Sequence, residues 1–508
     1  MGAAWRQRTI INISLLAAGS DALTKRQMPT KTYICKPPFP DHAMKKAEDF
    51  SEWYNEIVEK ANLTDKRYPI KGMNVWTPYG WKIMQAIDSH IRQEFDATNH
   101  QEVCFPLLIP EDQFAKEKEH IKGFDTEVFW VTHAGLNPLD VKLLLRPTSE
   151  TAMYPIFALW IRSHADLPLK TYQIVNTFRY ETKQTRAFIR VREIHFFESH
   201  TCHATFEDAE GQVKEDFDIL AKLSKKWCLP YRLLKRTEWD KFPGAFYTVG
   251  IDTLLPSGRS LQLGSIHEYM ENFSKPYEIK YEDEKGEHKF VHQTTFGMSE
   301  RLVGAVVAIH GDDKGLVLPP DIATTQVIII PVLAKGETET VTKSARDLHA
   351  ALKAAGIRVH LDERDLRPGA KYFDWELKGV PLRLELGKRD MEKDKVTFVR
   401  RDTGEKTLKD RKTVVQEVKD ELVKIASDML ARAQKDMVQD TVTVSSLDNL
   451  PEKMIKTGWC GSEECGHEIE TKSDRNLLGI PVDGEQFSGK CVICGKPTKT
   501  PVYMARAM

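Results

Sequence analysis

The stretch from residue 145 to residue 200 constrains the fold more than any other part of the chain. Arg179 and Glu181 stand two positions apart, and residues at that spacing share one face of a β-strand. The polar and basic segment 182–186 then predicts a loop, and Arg190 opens a return strand. The pattern indicates an antiparallel hairpin with a positively charged tip. Taken alone, an Arg-x-Glu pair is equally typical of a surface ion pair, which contributes little to stability.

The balance of charge argues against a basic field over the whole protein. The chain has 508 residues, enough for three or four domains, and carries 73 Lys and Arg against 74 Asp and Glu. Hydrophobic residues make up 41% and charged residues 29%, as in ordinary soluble globular proteins. Any nucleic-acid partner must therefore be bound by a local patch of positive charge. No apolar stretch is long enough to predict a membrane span.

The first 27 residues allow two interpretations. Arg6 and Arg8 precede the apolar run 10–18, which fits a short signal or transit peptide. The alternative is an upstream extension, with translation beginning at Met28. We favour the extension, because the remaining chain is typical of an intracellular protein, and we expect a cytoplasmic location.

Hydrophobic periodicity predicts an α+β domain around an antiparallel sheet over residues 50–320. A helix over Gly80–Phe95 carries an apolar stripe, which is either core or interface, formed by Met84, Ile87, Ile91 and Phe95. The segment Val103–Pro110 predicts a short buried strand, and its two prolines favour a sheet edge or a subunit contact. A helix over 206–228 and strands over 245–273 complete the pattern.

The pattern changes after Pro320. An apolar strand at 327–331, a helix capped by Gly356 and a strand at 357–361 form a βαβ unit. This unit predicts a separate and smaller α/β domain. A charged helix over 412–435 links it to a C-terminal module.

Two segments carry residues suited to binding a ligand. Gln262 and His267 flank small residues that allow close approach to the backbone, although a strand with a hydrogen-bonded histidine explains them equally. Arg301 precedes an apolar helix, where an arginine is either a surface cap or a phosphate clamp. The guanidinium suits the second role because it offers a planar fork of donors.

Four of the eight cysteines lie close together near the C-terminus. Cys460 and Cys465 form one pair, and Cys491 and Cys494 form a second that is followed by glycine. Two such pairs suffice for a tetrahedral structural zinc site, and the alternative is a set of unbound thiols. His467 is a less favoured substitute ligand. The isolated cysteines are interpreted as ordinary packed or surface residues: Cys35, Cys104, Cys202 and Cys228.

Three segments resemble the signatures of class II aminoacyl-tRNA synthetases. The helix that leads to the Pro106 strand resembles the first, which builds a dimer interface; Phe178–Glu181 resembles the second; and Arg301 with Gly304–Ile309 resembles the third. Further motifs are similar to the archaeal and eukaryotic-type branch of prolyl-tRNA synthetases: Arg146–Glu150, Gly311-Asp312, Gly315–Pro320 and Leu377–Arg383. This resemblance covers about residues 45–508.

The resemblance implies a domain order. An N-terminal extension, 1–45, is followed by a class II catalytic domain with an antiparallel sheet, 46–322. An α/β anticodon-binding domain, 323–411, precedes a small C-terminal zinc-binding α+β module, 412–508. The family also implies a homodimer.

The resemblance assigns roles residue by residue. The catalytic set is Arg179, Glu181 and Arg301. The proline-binding set is Thr148, Glu150, Arg179 and His267. The ATP-binding set is Arg179, Glu181, Arg190, Val191, Gln262, Ser265, Ser299 and Arg301. The metal ligands are Cys460, Cys465, Cys491 and Cys494 for structural Zn²⁺, and Gln262 for Mg²⁺. The anticodon contacts are Arg364, Arg367, Lys371 and Arg389.

The implied reaction joins L-proline to the 3′ end of tRNA(Pro) through prolyl-adenylate, with ATP and Mg²⁺. Attack of a carboxylate on the α-phosphate needs charge neutralisation and positioning more than acid–base catalysis. The family also tends to admit cysteine or alanine to its pocket. Another amino acid on the same fold is a neighbouring hypothesis. A non-catalytic RNA-binding paralogue is a third, but such proteins usually lose the ATP-binding arginines, whereas Arg179 and Arg301 are present. A free zinc-ribbon nucleic-acid binder leaves most of the chain unexplained.

Two positions depart from the family pattern. Phe196 stands where the family often has an aromatic wall for the proline ring, but it lies in an unusual His-Phe-Phe run. This branch commonly ends in a tyrosine whose carboxylate approaches the active site, and here the last residue is Met508.

Overall fold

The computed structural model describes residues 45–115, 127–333 and 338–508. The two interpretations of the first 27 residues, and the one given to Cys35, fall outside these ranges.

The elements up to residue 160 begin with two helices that have side-chain caps. Asp49 accepts a hydrogen bond from Glu52 N at the start of the first helix, and Thr77 accepts one from Gly80 N at the start of the second. In chain order these elements are α1 (Phe50–Lys60), β1 (Thr64–Asp65), β2 (Val75–Trp76), α2 (Pro78–Asp96), β3 (Gln101–Glu102), β4 (Leu108–Pro110), α3 (Glu111–Ala115), β5 (Phe129–Ala134), β6 (Asn137–Leu145) and α4 (Glu150–Trp160).

The next elements alternate long strands with two helices. In chain order they are a 3-10 helix (His164–Asp166), β7 (Leu169–Phe178), β8 (Glu193–His203), α5 (Phe206–Trp227), β9 (Arg232–Lys235), β10 (Tyr247–Leu254), β11 (Ser260–Met270), β12 (Lys280–Glu282), β13 (His288–Phe290), β14 (His292–Ser299) and α6 (Arg301–His310).

The remaining elements form the C-terminal third. In chain order they are β15 (Val327–Val332), α7 (Thr338–Ala354), β16 (Val359–Leu361), α8 (Pro368–Leu377), β17 (Leu382–Gly387), α9 (Lys388–Glu392), β18 (Lys395–Arg400), β19 (Lys406–Asp410), α10 (Val414–Gln439), β20 (Thr441–Thr443), β21 (Met454–Gly458), α11 (Glu463–Ser473), β22 (Asn476–Pro481), β23 (Gly489–Lys490), β24 (Pro497–Thr498) and β25 (Pro501–Ala505).

One large sheet organises the catalytic part. Its order is β20-β21-β25-β22-β9-β10-β11-β14-β8-β7-β3, and the pairs from β22 to β7 are antiparallel. Helices α5 and α6 pack across β11 and β14, and the α2 stripe lies with them in a single core. The sequence left open whether that stripe is core or interface, and within this subunit it is core. The predicted antiparallel α+β architecture is confirmed.

The α/β unit predicted after Pro320 is also confirmed. Strands β16, β15 and β17 are parallel, and β18 and β19 extend the sheet antiparallel. Gly356 ends the preceding helix with φ +83°, and Ile357 N donates to Leu352 O across it. The charged helix predicted over 412–435 is α10, which spans Val414–Gln439.

Two local predictions are wrong. Within Val103–Pro110 only Leu108–Pro110 is a strand, β4, and it forms the edge of a three-stranded sheet with β6 and β5. The return strand of the hairpin begins at Glu193 rather than at Arg190. Residues 179–192 instead form a long connection, in which Arg186 and Arg190 exchange backbone hydrogen bonds. Arg179 and Glu181 thus lie beyond the end of β7.

The C-terminal strands join the catalytic sheet. β22 pairs antiparallel with β9 through Ile480–Lys235 and Pro481–Leu234. Gly479 has no side chain where its backbone approaches Lys235 O, and a Cβ there would lie 2.2 Å from that oxygen. The C-terminal module is therefore continuous with the sheet that carries the site.

Candidate active site

A cavity of about 390 Å³ opens on the face of the sheet opposite α5. Alternation along β8 explains its wall, because Phe196 and Glu198 face the cavity whereas Phe197 packs on Phe95 of α2 at 4.6 Å. The cavity is lined by every residue predicted to bind proline or ATP: Thr148, Glu150, Arg179, Glu181, Arg190, Val191, Gln262, Ser265, His267, Ser299 and Arg301. The structure thus brings the whole predicted substrate set together.

Glu150 marks one end of the cavity. It is the first residue of α4 and is 2% exposed. Thr148 Oγ1 donates to Glu150 Oε2 at 2.5 Å, and Tyr269 Oη donates to Oε1 at 3.0 Å. Each carboxylate oxygen therefore has a fixed donor, and the group is oriented to compensate a cationic amine.

His267 lies beside this carboxylate on β11. Its Nδ1 is 2.9 Å from Thr248 Oγ1, and its Nε2 is 3.0 Å from Ser265 Oγ. Burial lowers the pKa of His267 to about 3, and the positive charges of His200 and Arg236 act in the same direction. The imidazole is therefore neutral, with both nitrogens held by hydroxyl groups.

A buried network supports the floor beneath Arg179. Ser149 Oγ and Gln173 Nε2 donate to Glu198 Oε1, the latter at 3.0 Å, and His200 Nε2 lies 3.2 Å from Oε2. Burial raises the pKa of Glu198, but His200, Ser149 and Gln173 outweigh it and leave the pKa below its ordinary value. Glu198 is thus a buried carboxylate within the field of Arg179.

Three guanidinium groups mark the other end. Arg301 Nε donates to Ile189 O at 2.9 Å and Nη1 donates to Gln262 O at 3.2 Å. Burial lowers the pKa of Arg301 to about 10, and repulsion from Arg179 and Arg190 adds to the effect. A bound polyanion would relieve this repulsion, so the cluster is suited to phosphate groups.

The connection from β7 to β8 is held against α6. Gly304 has no Cβ where Ile189 and Phe188 pack, and a Cβ there would lie 3.2 Å and 3.3 Å from their side chains. Arg190 Nη1 lies 3.4 Å from Glu181 Oε2, while its Nη2 donates to Met508 O at 3.2 Å. The last residue therefore contacts an arginine of the cavity through its backbone.

Phe196 lines the cavity, and its role as a wall for the proline ring stays a prediction. Its ring fills the space beside Gly297 on the neighbouring strand, since a Cβ on Gly297 would lie 2.7 Å from Phe196 Cζ. Both residues line the cavity. The ring position thus depends on the absence of a side chain at Gly297.

Sequence reasoning missed several lining residues: Glu127, Glu198, Arg236, Asp240, Phe242, Thr248 and Gly297. It also missed Tyr269, which holds Glu150 from below. Tyr269 had a detectable signal, because it stands two positions after His267 on one strand and so shares its face. The loop residues Arg236, Asp240 and Phe242 had none, because nothing local predicts where a loop lies.

The four clustered cysteines meet within the C-terminal module. The Sγ atoms of Cys460, Cys465, Cys491 and Cys494 all lie within 4.8 Å of one another, and each cysteine is free of disulfide bonding. Thiolates bound tetrahedrally to zinc at 2.3 Å are ~3.8 Å apart, so the donor set fits this metal. His467 is outside the cluster, where it pairs with Glu463 and Glu470 at 3.5 Å.

Comparison with known proteins agrees with this geometry. Residues 129–310 match the class II tRNA synthetase core domain (G, H, P, S and T), 326–421 match an anticodon binding domain, and 445–508 match the prolyl-tRNA synthetase C-terminal domain. The chain is 54% identical over 471 residues to the proline–tRNA ligase of Thermococcus kodakarensis, covering 91% of this chain and 98% of that protein. The chain belongs to the prolyl-tRNA synthetase family. Its archaeal relatives at about this identity include the proline–tRNA ligase of Thermoplasma acidophilum, 53% identical over 460 residues, covering 90% of this chain and 98% of that protein.

Solved structures of prolyl-tRNA synthetases have the same fold. The Giardia lamblia enzyme in complex with prolyl-adenylate aligns with a TM-score of 0.89 at 34% identity, covering 92% of this chain and 100% of that one. The Cryptosporidium parvum enzyme, complexed with halofuginone and AMPPNP, aligns with a TM-score of 0.87 at 35% identity, covering 92% and 99%. As a member of this family, the chain is an ATP-dependent ligase that acts on proline and tRNA.

The residues predicted to contact an anticodon occupy different environments. Lys371 is 3% exposed and donates to Asp362 O at 3.0 Å, while Arg364 pairs with Asp362 and Asp374. These two are committed to contacts inside the α/β domain. Arg367 and Arg389 are exposed. Among the residues that the structure describes, no helix has the length and apolar character needed to cross a bilayer.

Proposed function

We propose that the cavity activates L-proline with ATP to prolyl-adenylate and then transfers the prolyl group to the 3′ end of tRNA(Pro). The observation that carries this proposal is the opposition of the two ends of the cavity. A buried carboxylate, Glu150, faces the place for a cationic amine, and a cluster of three arginines faces the place for phosphates. Arg179 belongs to this cluster and also lies within the field of Glu150.

The amino-acid end orients proline. Glu150, fixed by Thr148 and Tyr269, pairs with the imino group, and neutral His267 closes the pocket without adding charge. Phe196 supplies an apolar wall for the ring. The carboxylate of proline then points toward Arg179, which also contacts the α-phosphate.

The phosphate end neutralises charge as the carboxylate attacks the α-phosphate and pyrophosphate leaves. Arg179 and Arg301 act through fixed guanidinium groups, and such prepositioned charge is the main source of rate in this kind of reaction. Glu181 orients ATP, while Arg190, the backbone of Val191, Ser265 and Ser299 hold the nucleotide.

Gln262 would be a ligand of Mg²⁺. The side-chain Nε2 of Gln262 donates to Gly264 O at 3.3 Å, and its amide oxygen is a ligand type that Mg²⁺ accepts. When bound there, Mg²⁺ supplies charge neutralisation of the phosphates. Gln262 itself positions the backbone carbonyl that receives Arg301 Nη1.

Two substitutions test these roles through ATP–pyrophosphate exchange. Arg179→Ala should lower the exchange rate by about 10²–10³-fold, the usual loss for one charge-stabilising donor. Near-normal exchange would refute its role. Glu150→Ala should raise the KM for proline far more than that for ATP, and a selective ATP defect would overturn the assignment of the pocket.

The cysteine cluster is proposed to hold a structural Zn²⁺. This proposal is supported by the proximity of four thiols that come from two pairs of cysteines. The second pair, Cys491 and Cys494, lies in a turn where Cys491 N donates to Lys496 O and Gly495 N donates to Cys491 O. A metal held by these four cysteines would cross-link α11 to the β23–β24 hairpin. Metal analysis of the purified protein tests this, with close to one zinc per chain expected.

A homodimer and tRNA(Pro) are the proposed macromolecular partners, and the cytoplasm is the proposed location. Exposed apolar side chains lie on or beside the strands of the β4–β6–β5 sheet and at the end of α4: Leu107, Leu108, Trp130, Val141, Leu159 and Trp160. Such a surface is typical of an interface. Light scattering should give twice the chain mass, and Leu159→Glu should reduce it. For tRNA, Arg367→Ala and Arg389→Ala should weaken aminoacylation without changing pyrophosphate exchange.

A further inference from the structure

The loop between β9 and β10 contacts the active-site cavity on one side and the C-terminal module on the other. On the inner side Arg236, Asp240 and Phe242 line the cavity. On the outer side Trp239 lies among residues of the C-terminal module. One short segment therefore connects two parts of the fold that are distant in sequence.

The inner side builds the amino-acid end of the cavity. The Phe242 ring centre is 4.8 Å from that of His267 and 6.0 Å from that of Tyr269. Phe242 N donates to Thr248 Oγ1 at 2.9 Å, the same hydroxyl that contacts His267 Nδ1. A displacement of the loop would therefore move the environment of His267 and leave the Arg301 end in place.

The outer side is held by Trp239. Its ring centre is 4.4 Å from that of His467 and 6.0 Å from that of Trp459, and Nε1 donates to Glu470 Oε2 at 3.2 Å. The indole also lies directly on Gly466, where a Cβ would come within 2.3 Å of Trp239 Cη2. Four residues of the C-terminal module thus enclose this one side chain.

Arg236 provides a second connection at the start of the loop. Its Nη1 donates to Leu478 O of β22, and its Nη2 donates to Asp252 Oδ1 at 2.9 Å. Gly250 leaves room for the guanidinium, because a Cβ there would lie 2.0 Å from Nη2. Arg236, the first residue of the loop, is therefore held between β22 of the C-terminal module and β10.

We propose that Trp239 is a positioning residue through which the C-terminal module sets the affinity of the cavity for the amino acid. The indole holds the loop, and the loop holds Phe242. Phe242 in turn contacts His267 directly and through Thr248 of β10, and so positions it for the amino acid. The proposal rests on the proposed function, in which proline occupies the Glu150–His267 end. Within the described part of the chain, the hydrogen bonds of Arg190 and Arg301 go to residues outside this loop, so ATP binding should be independent of Trp239.

Steady-state pyrophosphate exchange and equilibrium proline binding test this on the full chain. Trp239→Ala should raise both the KM and the Kd for proline about tenfold, the order expected when a supporting side chain is lost, and leave the KM for ATP within about twofold. Trp239→Phe keeps a ring on His467 and should restore the proline KM to within about threefold of wild type. Unchanged proline affinity, or an equal loss of proline and ATP affinity, would overturn the proposal.

Trp375→Ala is the matched control. Trp375 is also a partly buried tryptophan whose Nε1 donates to a carboxylate, Asp362 Oδ2 at 2.8 Å, but it belongs to the α/β domain. The Trp375→Ala variant should leave the proline KM unchanged. A rise in the proline KM equal to that of Trp239→Ala would show a general effect of destabilisation and contradict the specific role of Trp239.

Gly466→Ala keeps the proposal testable if Trp239→Ala fails to fold. The added Cβ presses on the indole from the module side and should raise the proline KM several-fold with little effect on ATP; no selective rise would count against the proposal. Wild-type protein measured alongside distinguishes a failure of the proposed function from a failure of the role given to Trp239. Wild-type exchange that does not depend on proline would contradict the proposed function, whereas failure in the variants alone would contradict only the role of Trp239.

Discussion

Tyr269 donates its phenolic hydroxyl to Glu150 Oε1 over 3.0 Å beneath the amino-acid end of the cavity. Burial and the charge of Glu150 raise the pKa of Tyr269 well above its ordinary value, so the hydroxyl remains a donor. The same ring stacks parallel to His267, with an interplanar angle of 4°. One residue behind the cavity wall therefore orients both groups that we assign to proline.

Removing this hydroxyl should weaken proline binding. Hydrogen bonds to charged groups contribute about 1.5–3 kcal/mol, so Tyr269→Phe should raise the proline KM by about tenfold or more while the ATP KM stays constant. Exchange kinetics with each substrate varied in turn measure both constants. Tyr281→Phe is the control, because its hydroxyl donates to Ala204 O instead. A Tyr269→Phe enzyme with wild-type proline KM would show that Thr148 alone orients Glu150.

Adding one methyl group at Gly297 should narrow the pocket. The new Cβ would lie 2.7 Å from Phe196 Cζ, so the ring must move into the cavity. Gly297→Ala should lower kcat/KM for proline more than for alanine, shifting their ratio about tenfold, the order associated with a change of one methylene. Gly211→Ala is the control, since a Cβ there meets no atom within 4 Å. Equal losses for both amino acids would contradict a size-selective role.

Asp216 should make stability depend on pH. Burial raises its pKa to about 8; a hydrogen bond from Gln212 and the charge of Lys170 oppose the shift, and Glu215 adds to it. The folded state then binds more protons than the unfolded state between the ordinary pKa, 3.8, and about 8, so stability falls as pH rises through that window. The Asp216→Asn side chain cannot ionise, so this variant should lack the loss of stability with rising pH that Asp216 contributes.

Thermal unfolding of wild type and Asp216→Asn at about pH 5 and about pH 8 measures how steeply the stability of each protein changes with pH. The variant should lose less stability than wild type over this interval. Identical slopes would show that the carboxyl group of Asp216 ionises at its ordinary pKa.

Loss of a cysteine ligand should release the metal and destabilise the C-terminal module. Cys491→Ser should lower the zinc content and the unfolding temperature together, because structural zinc contributes directly to folding. Cys104→Ser is the control, an exposed free cysteine far from the cluster in sequence. Retention of full zinc content by Cys491→Ser would exclude this cysteine as a ligand.

The helices and the β7–β8 hairpin could be predicted because their signals are local. The stripe on α2 and the cap at Gly356 follow from spacing within a few residues of each element. The motif around Arg179 could be recognised for the same reason. By contrast, the strand start at Glu193 depends on contacts of the preceding loop with Gly304 and Gly72, which are distant in sequence.

Pairing between strands that are distant in sequence explains the features of the site that the sequence could not predict. The junction of β22 with β9 makes the C-terminal module part of the catalytic sheet, and no periodicity within either strand predicts its partner. Phe242 and Arg236 reach the cavity only because that junction and the β9–β10 loop place them there. The burial of Lys371 on α8, rather than on an exposed loop, could not be predicted for a similar reason, since it follows from the packing of α8 against Asp362.

The most direct test of the account is ATP–pyrophosphate exchange without tRNA, measured with proline, cysteine, alanine and threonine in parallel. The opposition of Glu150 to the arginine cluster, in a pocket walled by Phe196, predicts that proline drives exchange best, with weaker exchange for cysteine or alanine. Exchange driven best by another of these amino acids, or by none of them, would contradict the assignment of the cavity to proline activation.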